Sequence, residues 1–429
     1  MIVIVIVIVI VIVTVTVTVT VTVTVTMTMV RGSKVRKPTA MAIASLVGFR
    51  IAQIVMLGTL TLLWLWIISA ALSNNWTTIS SSSLVSDTPR GTVKTNTTNL
   101  MYLAYYYPWY LKGDWSRHMT QDTPLLGHYG TDSPTVAEQH ISWALRANIS
   151  SWVVSWWGMN ALTKHHFDQG MLRARNIGQI QFCMLYESMS LEGTNFRDGT
   201  AQALLVQDLQ NIKAEYFTHP SYLRVNGRPV VVLYITRWKV VYNEFFNRSA
   251  LDHIRAAVGD DIFFIADEPF FGNTDPSTSQ NGLQSDGTTM FDAYTTYNMF
   301  ENVKVIPNET ASDYMLREAM PIFQAWSEQT LFFPKVLPMY HDFRGKKPLL
   351  GNAHDFARQL YKVACLPKPK WASKVTSGIP NIVFVTSFNE WWEGTQIEPD
   401  DADRYGFGFI TVLAKFKADV ATNGFYWCT

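Results

Sequence analysis

Asn381-Ile382-Val383-Phe384-Val385-Thr386-Ser387 runs directly into Phe388-Asn389-Glu390-Trp391-Trp392-Glu393. A short, nearly unbroken apolar run reads as a strand buried on both faces, the kind found in a parallel sheet covered by helices. Seven similar runs lie upstream: Leu100 to Tyr106, Ser151 to Trp156, Gln181 to Tyr186, Pro229 to Tyr234, Ile262 to Asp267, Ala293 to Tyr297 and Lys335 to Met339. Between them lie amphipathic stretches at helical spacing, including Pro134 to Ala147, Gly199 to Phe217, Phe245 to Val258, Ser312 to Glu328 and His354 to Ala364. Eight alternations of this kind close most naturally into a single (β/α)8 barrel, an α/β fold spanning residues 100–429.

In such a barrel the chemistry sits on the loops at the carboxyl ends of the strands. The first strand ends in Tyr105, Tyr106, Tyr107 and Trp109, the second in Trp156 and Trp157, the third in Tyr186 and Glu187, the fourth in Tyr234, Arg237 and Trp238. The remaining four supply Asp267 and Glu268, Tyr297 and Asn298, Tyr340 to Asp342, and Asn389 to Glu393. Flat rings interleaved with carboxylates suit pyranose sugars, which stack through C–H faces and hydrogen-bond through their edges. The candidate sugar-binding residues are Tyr106, Trp109, Trp156, Trp157, Tyr186, Glu187, Tyr234, Glu268, Tyr297, Asn389, Trp391 and Trp392. Rings that only cap the barrel core account for a share of this set.

Cleaving a glycosidic bond takes two carboxyl groups, one to protonate the departing oxygen and one to handle the anomeric centre or activate an attacker. Glu390 and Glu393 both face the pocket if their segment makes a helical turn. Glu268, in Asp-Glu-Pro, and Glu187 are rivals for one of the two roles.

The first hundred residues have a different character. Residues 2–26 alternate Ile-Val six times and then Thr-Val six times, the last Thr opening Thr26-Met27-Thr28-Met29. This block, over residues 1–30, reads as a translated simple-sequence repeat, with Met27, Met29 or Met41 as alternative starts. A basic flank over residues 31–50 precedes an uncharged run from Ile51 to Leu72. As a helix those 22 positions reach roughly 33 Å, enough to cross the hydrocarbon core of a lipid bilayer. Positive residues on the N-terminal side give the topology of a type II signal anchor, with the barrel outside the cell or in a lumen. Residues 73–99 are a Ser/Thr/Asn-rich stem.

Asn-x-Ser/Thr sequons at Asn75, Asn96, Asn148, Asn247 and Asn308 all follow the anchor, as a glycosylated lumenal domain requires. Three cysteines allow one disulfide at most, with Cys183 reading as a buried thiol, and they are too scattered for a metal site. No cofactor is expected. With 35 basic and 34 acidic side chains in 429 residues, the composition argues against nucleic-acid binding. Removing the seven basic and one acidic residue before position 100 leaves 28 against 33, a mildly acidic barrel suited to a neutral sugar. Part of the 48% apolar content sits in the repeat and the anchor, whereas the 13% aromatic content belongs largely to the barrel.

The segment Thr386-Ser387-Phe388-Asn389-Glu390-Trp391-Trp392-Glu393-Gly394-Thr395-Gln396-Ile397-Glu398-Pro399 resembles the signature of glycoside hydrolase family 99, the endo-α-1,2-mannosidase family, and of its looser relatives. Tyr106-Tyr107-Pro108-Trp109-Tyr110, Gly113 to Trp115, Gly127 to Pro134, Val153-Val154-Ser155-Trp156-Trp157 and Asn226-Gly227-Arg228-Pro229 are similar to further family motifs, in the family's order. The resemblance implies a (β/α)8 barrel and retaining, endo-acting hydrolysis of internal α-1,2-mannosidic linkages without a metal. It also implies a route through the substrate's own 2-hydroxyl, with Glu390 as its base and Glu393 as general acid and then base. Vertebrate-type members of the family are single-anchor proteins facing the Golgi lumen, which implies N-glycan processing there; a secreted or cell-surface protein is the alternative. Trp392 stands where the family usually has His, and Val336 to Tyr340 matches only loosely. A hydrolase of another polysaccharide, a sugar-binding barrel without turnover, and a double-displacement enzyme with Glu268 as nucleophile are the other readings.

Overall fold

The computed structural model describes residues 100–428 except 114, 116–121, 192–193, 195, 197, 238–245, 271, 280, 301–305, 343, 345–346, 368–378 and 402–404. The repeat, the basic flank, the expected anchor over 51–72 and the stem with Asn75 and Asn96 lie outside the described residues. Among the described residues no helix is long and apolar enough to cross a membrane.

Eight parallel strands form one sheet, ordered β7-β6-β5-β3-β2-β1-β9-β8. They are β1 (Leu100–Tyr106), β2 (Ile149–Trp156), β3 (Gln181–Tyr186), β5 (Arg228–Leu233), β6 (Phe263–Asp267), β7 (Ala293–Thr295), β8 (Lys335–Val336) and β9 (Asn381–Val385). A two-residue strand, β4 (Arg224–Val225), pairs antiparallel with β5 across the Asn226-Gly227 turn, in which both residues have positive φ. Closure comes from the segment leading into β8. Tyr294 of β7 donates its N–H to the Leu331 carbonyl and accepts at its own carbonyl from Phe333. The result is a parallel eight-stranded barrel.

The helices follow as expected for α1 (Pro134–Arg146), α3 (Thr200–Tyr216), α4 (Arg248–Val258) and α7 (Ala353–Val363). Two more were not anticipated, α2 (Leu162–Gln169) and α8 (Gly408–Asn423). The stretch expected to be one helix over Ser312 to Glu328 is α5 (Ala311–Tyr314), a wide π turn (Met315–Ala319) and α6 (Met320–Gln329). Pro321, near the start of α6, has no N–H to return to the preceding turn, which accounts for a break in the ladder there. Between β6 and β7 the described residues of 268–292 carry turns and isolated bridges in place of a helix.

Alternation along each strand separates two layers. Tyr105 of β1 meets Tyr297, just beyond β7 on the far side of the barrel, ring centroids 4.9 Å apart, so the odd positions of β1 face the barrel axis. The even positions face the helices: Tyr102 donates to the Leu413 carbonyl of α8 and Tyr106 sits against His140 of α1. Phe182 of β3 packs likewise on Phe167 of α2 and Tyr216 of α3. A disulfide joins Cys365, after α7, to Cys428, after α8, while Cys183 on β3 is a free, buried thiol. Closing a sequence separation of 63 contributes about 2–5 kcal/mol of stability.

Candidate active site at the carboxyl end of the barrel

The loop after β9 places the two glutamates. Beyond Val385 the chain closes on itself: Ser387 N–H bonds the Thr395 carbonyl at 2.6 Å, Thr395 N–H bonds the Glu390 carbonyl at 3.1 Å, and Ile397 N–H bonds the Ser387 carbonyl at 2.9 Å. The Trp391–Gly394 tip is a turn, tied to the loop after β8 by His341 N–H on the Glu393 carbonyl. Gly394 has φ of +61°, and a Cβ there would meet the His341 backbone at 2.8 Å, so glycine is required. A closed loop with a tight tip thus does the work expected of a helical turn.

Glu390 is 2% exposed; its Oε1 accepts from the Trp392 N–H at 3.0 Å, and its own N–H is held by Ser387 Oγ at 2.8 Å. Burial pushes its carboxyl well above the usual carboxylate range, and the charge of Glu393 pushes it further. Glu393 is more open: its Oε2 accepts from the Tyr297 hydroxyl at 2.9 Å, and the Arg344 guanidinium approaches Oε1 at 3.4 Å. Arg344 also clamps Asp342.

Glu187 completes a set of three carboxyl groups. Its Oε1 accepts from Ser155 Oγ at 2.6 Å, and that oxygen accepts in turn from Trp157 Nε1 at 2.9 Å. Burial lifts the Glu187 carboxyl to about 8; the Ser155 hydrogen bond opposes this, and the charges of Glu393 and Asp267 reinforce it. The charges of Glu187 and Glu393 raise the Glu390 carboxyl and that of Glu393 raises Glu187, so the two buried carboxyl groups of the cluster favour their protonated forms. A site that keeps one carboxyl protonated beside another that is ionised is equipped for paired acid and base chemistry.

Around this set Tyr297 is buried against Tyr105, Tyr107 and Tyr234, and Asn298 Nδ2 donates to the Tyr234 hydroxyl at 2.7 Å. Trp109 and Trp392 lie parallel, 4.9 Å apart and 8° from coplanar, both partly exposed, and the Tyr107 ring lies 4.4 Å from that of Trp109. Trp157 is the most exposed of the expected aromatic residues at 36%.

Alternation removes several expected residues from this face. Tyr106 and Trp156 are each 1% exposed, Tyr106 being bonded to His140 and Trp156 packed on Tyr186. The Tyr186 hydroxyl donates to Asp208 of α3 at 2.9 Å. Trp391 is wholly buried, with its Nε1 on Glu398 at 2.7 Å. Asn389 is also wholly buried and grips the Tyr107 backbone through both Oδ1 and Nδ2. Glu268 falls one residue past the axial Asp267. Its carboxylate is taken up by Thr236, just after β5, and by Asn273, Ser279 and Asn281 in the loop that replaces a helix. These bonds occupy the carboxylate that the double-displacement reading takes as its nucleophile.

Residues not anticipated include Ser155, Arg344 and Lys335. Lys335 is wholly buried, donates to the Tyr297 carbonyl and lies 4.5 Å from the Phe300 ring. Of the sequons, Asn148 and Asn308 are exposed with φ of +58° and +61°, and Asn247 caps α4 through Oδ1 on the Ala250 N–H. Among the described residues no cluster of His, Cys, Asp or Glu is arranged to hold a metal ion.

No curated protein sequence matches this chain. Among solved structures, the GH99 endo-alpha-mannosidase from Bacteroides thetaiotaomicron superposes with a TM-score of 0.51 at 21% identity, covering 76% of this chain and 98% of its own. A glycoside hydrolase-like protein does so with a TM-score of 0.52 at 16% identity, covering 77% and 96%. At such identities the likeness carries the fold. The sequence profile of glycosyl hydrolase family 99 matches residues 116–406, which spans two-thirds of the chain and includes Trp157, Glu187, Tyr297, Glu390, Trp392 and Glu393. On that match the chain belongs to glycosyl hydrolase family 99.

Proposed function

We propose that this glycoside hydrolase is endo-acting and retaining, and that it cuts internal α-1,2-mannosidic linkages of N-glycans. The observation that carries the reading is the Glu390 and Glu393 pair, one buried and proton-holding, the other bonded by Tyr297 and approached by Arg344, beside the Trp109 and Trp392 rings. In the proposed reaction Glu390 takes the proton from the sugar 2-hydroxyl, and that oxygen attacks the anomeric carbon. The bond to the leaving oxygen breaks as Glu393 protonates it, giving a 1,2-anhydro sugar. Water then opens the anhydro ring at the anomeric carbon, giving its proton to Glu393, while Glu390 returns its proton to O2. Atoms and charge balance with no further reactant.

In the free site burial favours the protonated form of Glu390, so this proton has to leave before Glu390 acts as a base. Since the two carboxyl groups titrate as a pair, one proton passing between them as the 2-hydroxyl enters sets up the reactive arrangement.

The disulfide and the exposed sequons at Asn148 and Asn308 support an oxidising lumenal or extracellular setting. With the apolar run over 51–72 they support a type II membrane protein of the Golgi, in contact with the bilayer through that run. The test is incubation of the purified protein with N-glycans capped by glucosyl-α-1,3-mannose. Release of the disaccharide is expected. No release from these glycans, with cleavage of another polysaccharide instead, overturns the substrate assignment.

A further inference from the structure

Beneath the Trp391–Gly394 turn runs a buried polar chain that the reaction above does not use. Glu398 is wholly buried. Its Oε2 accepts from the Tyr129 hydroxyl at 2.6 Å and from Trp391 Nε1 at 2.7 Å, and its Oε1 lies 3.0 Å from His140 Nε2. His140 Nδ1 is in turn 3.1 Å from the Tyr106 hydroxyl. With His140 donating through Nε2 and accepting from Tyr106 at Nδ1, each polar atom of the chain finds a complementary partner. A buried carboxylate persists only when it is satisfied in this way.

The position of that carboxylate is therefore set by β1, α1 and the Tyr129 segment, and it is passed on to the Trp391 indole. Trp391 is held a second time through its backbone, whose N–H bonds the Tyr110 hydroxyl at 2.9 Å while that hydroxyl donates to the Asn389 carbonyl. Anchored at ring and backbone, Trp391 cannot turn without breaking one of these bonds. Its chain neighbours are Glu390 and Trp392, and Glu393 follows two residues on.

We propose that Glu398, held by His140, is a positioning residue for the Glu390 and Glu393 pair, acting through the Trp391 indole. This rests on the reading of that pair as the reacting carboxyl groups. It also explains how a short loop can hold two carboxyl groups to the tolerance that catalysis demands.

The test compares Glu398→Leu, Glu398→Gln, Trp391→Phe and the double variant Glu398→Leu/Trp391→Phe in the full chain. Glu398→Leu and Trp391→Phe should each lower kcat about tenfold or more while KM moves less than about threefold. Glu398→Gln keeps an acceptor for the indole and should restore most of kcat. The double variant should be no worse than the poorer single one, because both changes delete one bond. The indole N–H proton resonance of Trp391 should move upfield in Glu398→Leu, a readout that holds even if the wild type cleaves none of the glycans offered. Folded variants with wild-type kcat and an unmoved resonance would overturn the proposal, as would fully additive losses or a rise in KM alone. If Glu398→Leu does not fold, wild-type kcat in Trp391→Phe is enough to overturn it.

Discussion

Tyr186 and Glu187 are neighbours in the chain, yet they belong to different parts of the molecule. Tyr186 points outward, bonds Asp208 of α3 and helps seal the helical layer. Glu187 faces the axis, bonds Ser155 and feels the charge of Glu393. The same division separates Tyr106 from Tyr107 and Glu268 from Asp267. Residue type alone does not distinguish the two layers, since each contains tyrosine, tryptophan and carboxylate. What distinguishes them is the period of two along a strand.

The largest expected effect sets axial carboxyl groups against an outer one. Glu390→Gln or Glu393→Gln should lower kcat by about 10²–10⁴-fold. Glu268→Gln should leave kcat near the wild type and cost about 1–3 kcal/mol of stability through its loop contacts, read by urea denaturation. Comparable losses of kcat in all three variants would erase the distinction.

Protonation gives the next contrast. The Glu187 carboxyl is raised to about 8 in the folded protein, against about 4.3 in an unfolded chain. Between those values the folded state holds the extra proton, so stability is greatest below the lower value and falls as pH rises towards 8, by at most about 1.4 kcal/mol per pH unit. Glu187→Gln should flatten that part of the curve when denaturation midpoints at pH 5 and pH 8 are compared. Asp208→Asn, in the outer layer, should alter it much less.

Tyrosine substitution divides the layers again. Tyr297→Phe removes the hydroxyl from Glu393 and should lower kcat/KM about tenfold. Tyr186→Phe should change only stability, by about 1 kcal/mol, as the shift in thermal midpoint will show. The smallest effect belongs to Arg344, which is half exposed and therefore well screened. Removing its positive charge in Arg344→Gln should lower kcat/KM less than about threefold, as steady-state kinetics will show.

Much of the barrel was legible because strands buried on both faces announce themselves as apolar runs. Leu100 to Tyr106 and Gln181 to Tyr186 were read to the residue. β8 proved shorter than expected: the Leu337 N–H goes to the Gln359 side chain, and Pro338 has none to offer a ladder. α2 was hidden because Leu162–Gln169 buries only Thr163, His166 and Phe167, too little apolar surface to show a period. α8 was missed although Phe409, Leu413, Phe416 and Val420 lie at helical spacing, because β-branched residues crowd its first turn.

At the site, the Glu390 and Glu393 pair and Tyr297 stood out by type and position. Trp156, Tyr186 and Glu268 stand at strand ends beside axial residues, and only the period of two along each strand, counted from Tyr105 or Cys183, tells them apart. Arg344 carried no such signal, lying on a loop and reaching Glu393 only through the fold. The role of Glu398 was hidden in the same way, for its partners Tyr106, Tyr129 and His140 are more than 250 residues away in sequence.

The most direct measurement is a proton NMR time course of wild-type protein acting on a glucosyl-α-1,3-mannosyl-α-1,2-mannoside, with Glu390→Gln and Glu393→Gln in parallel. The account predicts that the disaccharide appears first as its α-anomer, before mutarotation, and that both variants release almost none. A first-formed β-anomer, or release by the variants at the wild-type rate, would contradict it.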